Sequence, residues 1–201
     1  MLKIGVTGGM GSGKSTVCNL FRNLGVPIFS SDLKARGLLN TNTDIKKKMK
    51  SHFGKDIYLS NGEIDRPRLA SIIFSDPNEM EFVTHVVHPE VKLLFKKWHK
   101  EYEYTPYVIK EAAILFESGA YHDIDKVITV FAPKEQRINR VIKRDQSRRE
   151  DILKRMRAQF SDEERNSLAD FIIMNEDGNE DQLLPQVMEL HDIFLNETKK
   201  W

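Results

Sequence analysis

Leu2-Lys3-Ile4-Gly5-Val6-Thr7 is a short, mostly apolar segment that runs directly into Gly8-Gly9-Met10-Gly11-Ser12-Gly13-Lys14-Ser15. An apolar run ending at glycines reads as a buried parallel strand. The octet fits G-x-x-x-x-G-K-[ST], in which glycines let successive backbone N–H groups turn inward and cradle an anion. Val17, Leu20, Phe21 and Leu24 follow at i, i+3, i+4 and i+7, one face of a helix that stops at Gly25. Strand, loop and helix in this order set the positive end of a helix dipole beneath the cradle. Gly9, Gly11, Ser12, Gly13, Lys14, Ser15 and Thr16 are therefore candidate contacts for ATP. Lys14 can reach the outer phosphates, and the Ser15 hydroxyl suits Mg²⁺.

The rest of the chain continues the alternation. Val26 to Ser30, Tyr107 to Ile109, Val127 to Phe131 and Phe171 to Met174 read as further strands. Helical patterns separate them, notably Ile138, Val141, Ile142 and later Leu183, Leu184, Val187, Leu190, Phe194. Such alternation implies right-handed crossovers and a parallel sheet flanked by helices, an α/β fold. Between about Ala35 and Tyr104 no strand is evident; helical stretches and the turn Ser60-Asn61-Gly62 point to an inserted helical subdomain. The expected division is a nucleotide-binding core of residues 1–34 plus 105–201 and a helical insertion of 35–104. Within the core, about 140–160 forms a lid. Arg144 to Ser161, dense in charge and poor in large apolar residues, reads as a mobile arm.

Composition excludes several classes. At 201 residues, 40% hydrophobic and 30% charged, the chain is neither disordered nor fibrous. A net charge of +1 advertises neither nucleic acid nor a membrane surface. No stretch approaches the roughly 20 apolar residues of a membrane span, and the initial apolar run is too short for a signal peptide. Cys18 is the only cysteine, so no intrachain disulfide forms; among core-facing residues it reads as a small hydrophobe. A cytoplasmic protein fits these features, and a monomer or weak oligomer is the expectation.

The use made of the triphosphate is narrowed by what accompanies the loop. Neither Asp-x-x-Gly nor Asn/Thr-Lys-x-Asp, the elements of a GTPase switch, is found. A motor-type ATPase needs an apolar strand ending in Asp or Asp-Glu, and Tyr107 to Glu111 offers only Glu111. A small kinase remains, which needs charge stabilisation and a carboxylate to orient the acceptor. Asp32 stands just past the second strand, on the rim that the phosphate loop shares. It could accept a hydroxyl proton, or it could cap the helix that Leu33-Lys34-Ala35-Arg36 begins. Arg137 to Arg157 holds nine basic and three acidic residues. Four residues place Arg140 and Arg144 on one helix face, where guanidinium groups could close onto transferring phosphates.

These residues in this order resemble the dephospho-coenzyme A kinase family. The resemblance runs from Thr7-Gly8-Gly9-Met10-Gly11-Ser12-Gly13-Lys14-Ser15-Thr16 through Asp32 with Arg36, Asp65-Arg66, His88-Pro89 and Leu115-Phe116-Glu117. It continues at Gln136-Arg137, Arg140, Arg144-Asp145, Gln159 and Asn175. It implies an enzyme that moves the γ-phosphoryl of ATP, with Mg²⁺, to the ribose 3′-hydroxyl of dephospho-coenzyme A, the last step of coenzyme A biosynthesis. Asp32 would be the base, with Lys14 and Arg140 completing the catalytic set. The helical insertion, through Asp32, Arg36, Arg66 and His88, would hold the acceptor. Arg140 and Arg144 would belong to the lid, and Asn175 would lie near the adenine. The family usually shows Asp-x-Asp where this chain has Ser30-Ser31-Asp32, and Pro where it has Ala113. Another small-metabolite or nucleotide kinase is the alternative on the same core. A loop protein in which hydrolysis gates a partner surface is the alternative of another class.

The remaining candidates have plainer readings. His85 and His88 lack a third metal ligand, and Pro89 is expected to kink or start a helix. Lys46, Lys47, Lys48 and Lys50 read as a solvated helix face.

Overall fold

The computed structural model describes residues 1–199. Its elements are β1 (Leu2–Thr7), α1 (Lys14–Asn23), β2 (Ile28–Ser30), α2 (Ser31–Thr41), α3 (Thr43–Phe53), α4 (Arg66–Ile73) and α5 (Pro77–Trp98). There follow β3 (Tyr107–Glu111), β4 (Lys126–Phe131), α6 (Lys134–Asp145), α7 (Arg149–Arg157), α8 (Asp162–Leu168), β5 (Phe171–Met174) and α9 (Leu183–Thr198). The strands form one sheet in the order β2-β3-β1-β4-β5, with every pairing parallel.

Parallel pairing brings the C-terminal strand ends to one rim. Thr7 sits opposite Thr129, and Val6 and Ser30 are both in register with Glu111. The phosphate loop leaves β1 at this rim. β1 and β3 are buried along most of their length, which explains their near-continuous apolar runs. Beneath the loop, Val17 and Phe21 of α1 pack with Ile4, Val6, Ile109, Ile128, Ile173, Val187 and Phe194 in one apolar cluster. Burying a side chain such as Phe21 contributes about 1.5–3 kcal/mol. α1 ends as its pattern requires, with Gly25 at φ +85° just beyond Leu24.

The chain resolves into two compact units, Met1–Ser30 with Trp98 onward, and Ser31–Lys97. Within the first unit Trp98 packs its ring on Phe29, centroids 5.3 Å apart. Inside the helical unit Ile45, Met49, Ile57, Ile64, Leu69 and Val87 are buried, and Tyr58 and Ile64 form an antiparallel β-bridge. The turn at Ser60-Asn61-Gly62 closes that bridge, with Gly62 N–H donating to the Leu59 carbonyl.

Two expectations change. Pro89 neither starts nor stops a helix; it lies inside the 22-residue α5. The lost N–H bond of one proline is outweighed there by packing of Val87, Val91 and Phe95, all buried. The charged stretch after Arg144 contains α7, anchored by Ile152, which is fully buried against Ile138 and Val141. Leu153 and Met156 pack on the same cluster, so three apolar side chains seat a helix whose other residues are charged. No described helix is long and apolar enough to cross a membrane.

Candidate active site

The loop's backbone closes on itself before α1 begins. Ser12 N–H donates to the Gly9 carbonyl at 3.1 Å, and Lys14 Nζ donates to the carbonyls of Gly8 (2.6 Å) and Gly9 (3.3 Å). The ammonium is thus held over the cradle by the same glycines that form it. Ser15 and Thr16, in the first turn of α1, are exposed, whereas Ser12 is buried with its hydroxyl lacking a hydrogen-bond partner. Gly13 has φ +93°, and a Cβ there would collide with Asn175 Nδ2. That position demands glycine on both counts.

Asn175 and Arg140 join the loop from elsewhere in the core unit. Asn175, just after β5, donates Nδ2 to the Ser12 carbonyl at 2.7 Å, and its own N–H bonds the Phe131 carbonyl at the end of β4. Arg140, in the middle of α6, donates Nη1 to Gly11 O (3.4 Å), Nη2 to Asn175 O (2.9 Å) and Nε to Asp177 Oδ1 (2.9 Å). Asp177 is itself fixed by its N–H, which donates to Gln136 Oε1 at 2.9 Å. Gly13, Thr16, Leu20, Arg140, Asn175, Asp177, Leu183 and Leu184 line a cavity of about 400 Å³ beside the loop. Three leucines with an arginine and an asparagine make an apolar slot with a few polar anchors, the usual form of a small-molecule site.

Arg144, one turn beyond Arg140, does not reach the loop. Its guanidinium is mostly exposed and forms a two-point bond to the adjacent Asp145, Nε to Oδ1 and Nη2 to Oδ2. In the helical unit, Asp32 and Arg36 stand four apart on α2, Arg66 opens α4 behind the Asp65 cap, and half-buried His88 lies on α5. Asp32 falls inside the first turn of α2, since the helix begins at Ser31. The carboxylate of Asp32 and the guanidinium groups of Arg36 and Arg66 make no hydrogen bond or ion pair among the described residues.

Some functional neighbours were not readable as such. Gln159 accepts from Met10 N–H at 2.8 Å and donates to the Ala113 carbonyl at 2.9 Å, joining the loop to the second residue beyond β3. Next to it, Phe160 N–H donates to Glu117 Oε1. Lys46 and Lys50 are not simply solvated, for both ammonium groups lie over the Tyr58 ring and Lys46 Nζ donates to Gly62 O. Cys18 is buried, and burial pushes its thiol well up. Among the described residues no cluster of three or more metal-ligating side chains occurs.

Comparison with known proteins gives a consistent result. The family model described as dephospho-CoA kinase matches residues 2–181. The chain is 37% identical to the dephospho-CoA kinase of Bacteroides fragilis, covering 94% of this chain and 91% of the relative. It is 35% identical to that of Legionella pneumophila, covering 98% and 96%. Among solved structures, a Thermus thermophilus protein aligns with TM-score 0.81 at 34% identity over 96% of this chain and 97% of its own. The dephospho-CoA kinase of Campylobacter jejuni aligns with TM-score 0.66 at 28% identity over 93% and 95%. A phosphate loop on a five-stranded parallel sheet, matched over nearly its whole length by these relatives, places the chain in the dephospho-CoA kinase family.

Proposed function

We propose that this chain transfers the γ-phosphoryl of ATP to the ribose 3′-hydroxyl of dephospho-coenzyme A, giving coenzyme A and ADP. The observation that carries the reading is the convergence of Lys14, Arg140 and Asn175 on one glycine loop in a chain of this family. The loop N–H groups and the α1 dipole receive the phosphates. Lys14, now resting on two loop carbonyls, turns to the outer phosphate oxygens, and Arg140 adds a second cation. The slot of Leu20, Leu183 and Leu184 takes the adenosine end, with Asn175 near the base.

The helical unit serves as the acceptor module. Asp32 accepts the 3′-hydroxyl proton as the oxygen attacks the γ-phosphorus and the bond to the β-phosphate oxygen breaks. A carboxylate with no ion pair of its own is suited to that proton. Arg36 and Arg66, exposed cations with no ion pair among the described residues, meet the anionic acceptor together with His88. Arg144, released from Asp145, closes on the phosphates with the segment of about 140–160 acting as lid.

Ser15 would hold Mg²⁺, which when bound would supply positive charge to offset that of the phosphates. Its exposed hydroxyl at the loop's exit fits a cation held largely by substrate phosphates. We take the enzyme to act in the cytoplasm as a monomer or weak oligomer. An acceptor panel tests the reading: ADP release with dephospho-coenzyme A, AMP, shikimate or no acceptor should be fast only with the first. Comparable release with AMP or shikimate would overturn the acceptor assignment.

A further inference from the structure

We propose that Arg137 and Arg165 form a buried electropositive brace behind the phosphate loop, and that Arg137 is thereby a positioning residue that strengthens triphosphate binding without touching it. The inference rests on the loop being the triphosphate cradle.

Both arginines belong to the core unit, Arg137 on α6 and Arg165 on α8. Their side chains are only 7% and 3% exposed. A single carboxylate serves both: Asp162 Oδ2 accepts from Arg137 Nη2 at 2.5 Å, and Oδ1 accepts from Arg165 Nη1 at 2.9 Å. Arg165 Nη2 donates in addition to the Phe160 carbonyl at 2.5 Å. Among the described residues, the Nε atom of each arginine is buried without a hydrogen-bond partner. Two guanidinium groups against one carboxylate leave an excess positive charge in a poorly solvated place. Burial pulls Arg137 below the usual arginine range, opposed by Asp162, yet a guanidinium stays charged at any physiological pH.

The excess charge is aimed at the loop. A Cβ added to Gly9 would collide with Arg137 Nη1 and lie 3.4 Å from Arg165 Nη1. The carbonyl of the same Gly9 carries the Ser12 N–H and Lys14 Nζ bonds. A buried cation without a full counter-charge is costly on its own. The cost falls when several negative charges arrive on the loop, and the field acts through protein rather than water. At an effective dielectric constant near 20, one unit charge about 12 Å from a phosphate charge changes anion affinity by about tenfold. A brace built only to pin α8 to α6 would have no need of a second guanidinium on Gly9.

The test measures dissociation constants of Mg²⁺-ATP, inorganic tripolyphosphate and AMP for the full chain and three variants. Arg137→Met should weaken ATP and tripolyphosphate by about tenfold and AMP far less. Arg137→Lys, which keeps the charge, should restore most of the affinity. Asp162→Asn should lower the melting temperature yet tighten tripolyphosphate, because it raises the excess charge. Should Arg137→Met fail to fold, the opposite signs in melting and binding of Asp162→Asn carry the test. Unchanged ATP and tripolyphosphate binding in Arg137→Met, or no tightening in Asp162→Asn, would overturn the inference and leave the kinase reading standing. A wild-type chain that binds neither ATP nor tripolyphosphate would overturn both.

Discussion

Asn175 Nδ2 donates to the Ser12 carbonyl at 2.7 Å, a bond that joins the end of β5 to the phosphate loop across 163 positions of sequence. The same asparagine offers its own carbonyl to Arg140, so loop, sheet edge and α6 share one residue. Asn175→Ala removes the clamp and leaves the Ser12 carbonyl without its partner. At about 1–3 kcal/mol for an orphaned buried group, the KM for ATP should rise roughly tenfold or more while kcat changes less. Steady-state kinetics with ATP varied decide it, and an unchanged KM would remove Asn175 from the nucleotide site.

Gly13 and Gly25 form a matched pair for testing how tightly the loop is built. Both have positive φ, +93° and +85°, but a Cβ on Gly13 meets Asn175 whereas one on Gly25 meets nothing within 4 Å. Gly13→Ala should abolish measurable ATP binding and lower the melting temperature by about 5 °C or more. Gly25→Ala should cost only the backbone strain and leave ATP affinity unchanged. Equal effects of the two on ATP binding would show that the Asn175 contact does not matter.

Lys14→Ala should reduce kcat/KM by about a hundredfold to a thousandfold through lost charge stabilisation. Asp32→Asn should slow phosphoryl transfer by about a hundredfold or more with a melting temperature close to wild type. An Asp32→Asn protein that melts early at undiminished specific activity would instead make Asp32 a helix-terminus stabiliser.

Alkaline pH should weaken the core through Cys18 and Tyr107. Burial pushes the Cys18 thiol up, with Glu111 adding to the shift, and burial likewise raises the Tyr107 hydroxyl. The unfolded chain therefore loses these protons first. The stability is complete below about pH 8.5, the ordinary thiol value, and falls as pH climbs toward the raised folded values. Melting temperatures between pH 7 and 10.5 should decline less steeply for Cys18→Ala than for wild type. Parallel profiles would show that Cys18 plays no part.

Much of this was legible in the residues because short-range signals carry it. β1 and β5 have the bounds their apolar runs mark, and the glycine loop sits where strand and helix patterns meet. Longer-range features were not legible. Arg137 is one basic residue among many in the sequence, and nothing local shows that it pairs with Asp162, 25 positions on. Ile152 anchors α7 from within a charged run because burial depends on a tertiary partner, Ile138 or Val141, rather than on local hydropathy. Gln159 and Glu117 carried no chemistry as isolated letters; their bonds to Met10 and Phe160 give them one.

The most direct measurement is the identity of the product. The purified chain, mixed with Mg²⁺-ATP and dephospho-coenzyme A, should yield ADP and a species one phosphate heavier whose added phosphorus resonance couples to the ribose 3′ position. Phosphate on another hydroxyl, or ADP formation without any heavier product, would contradict the account.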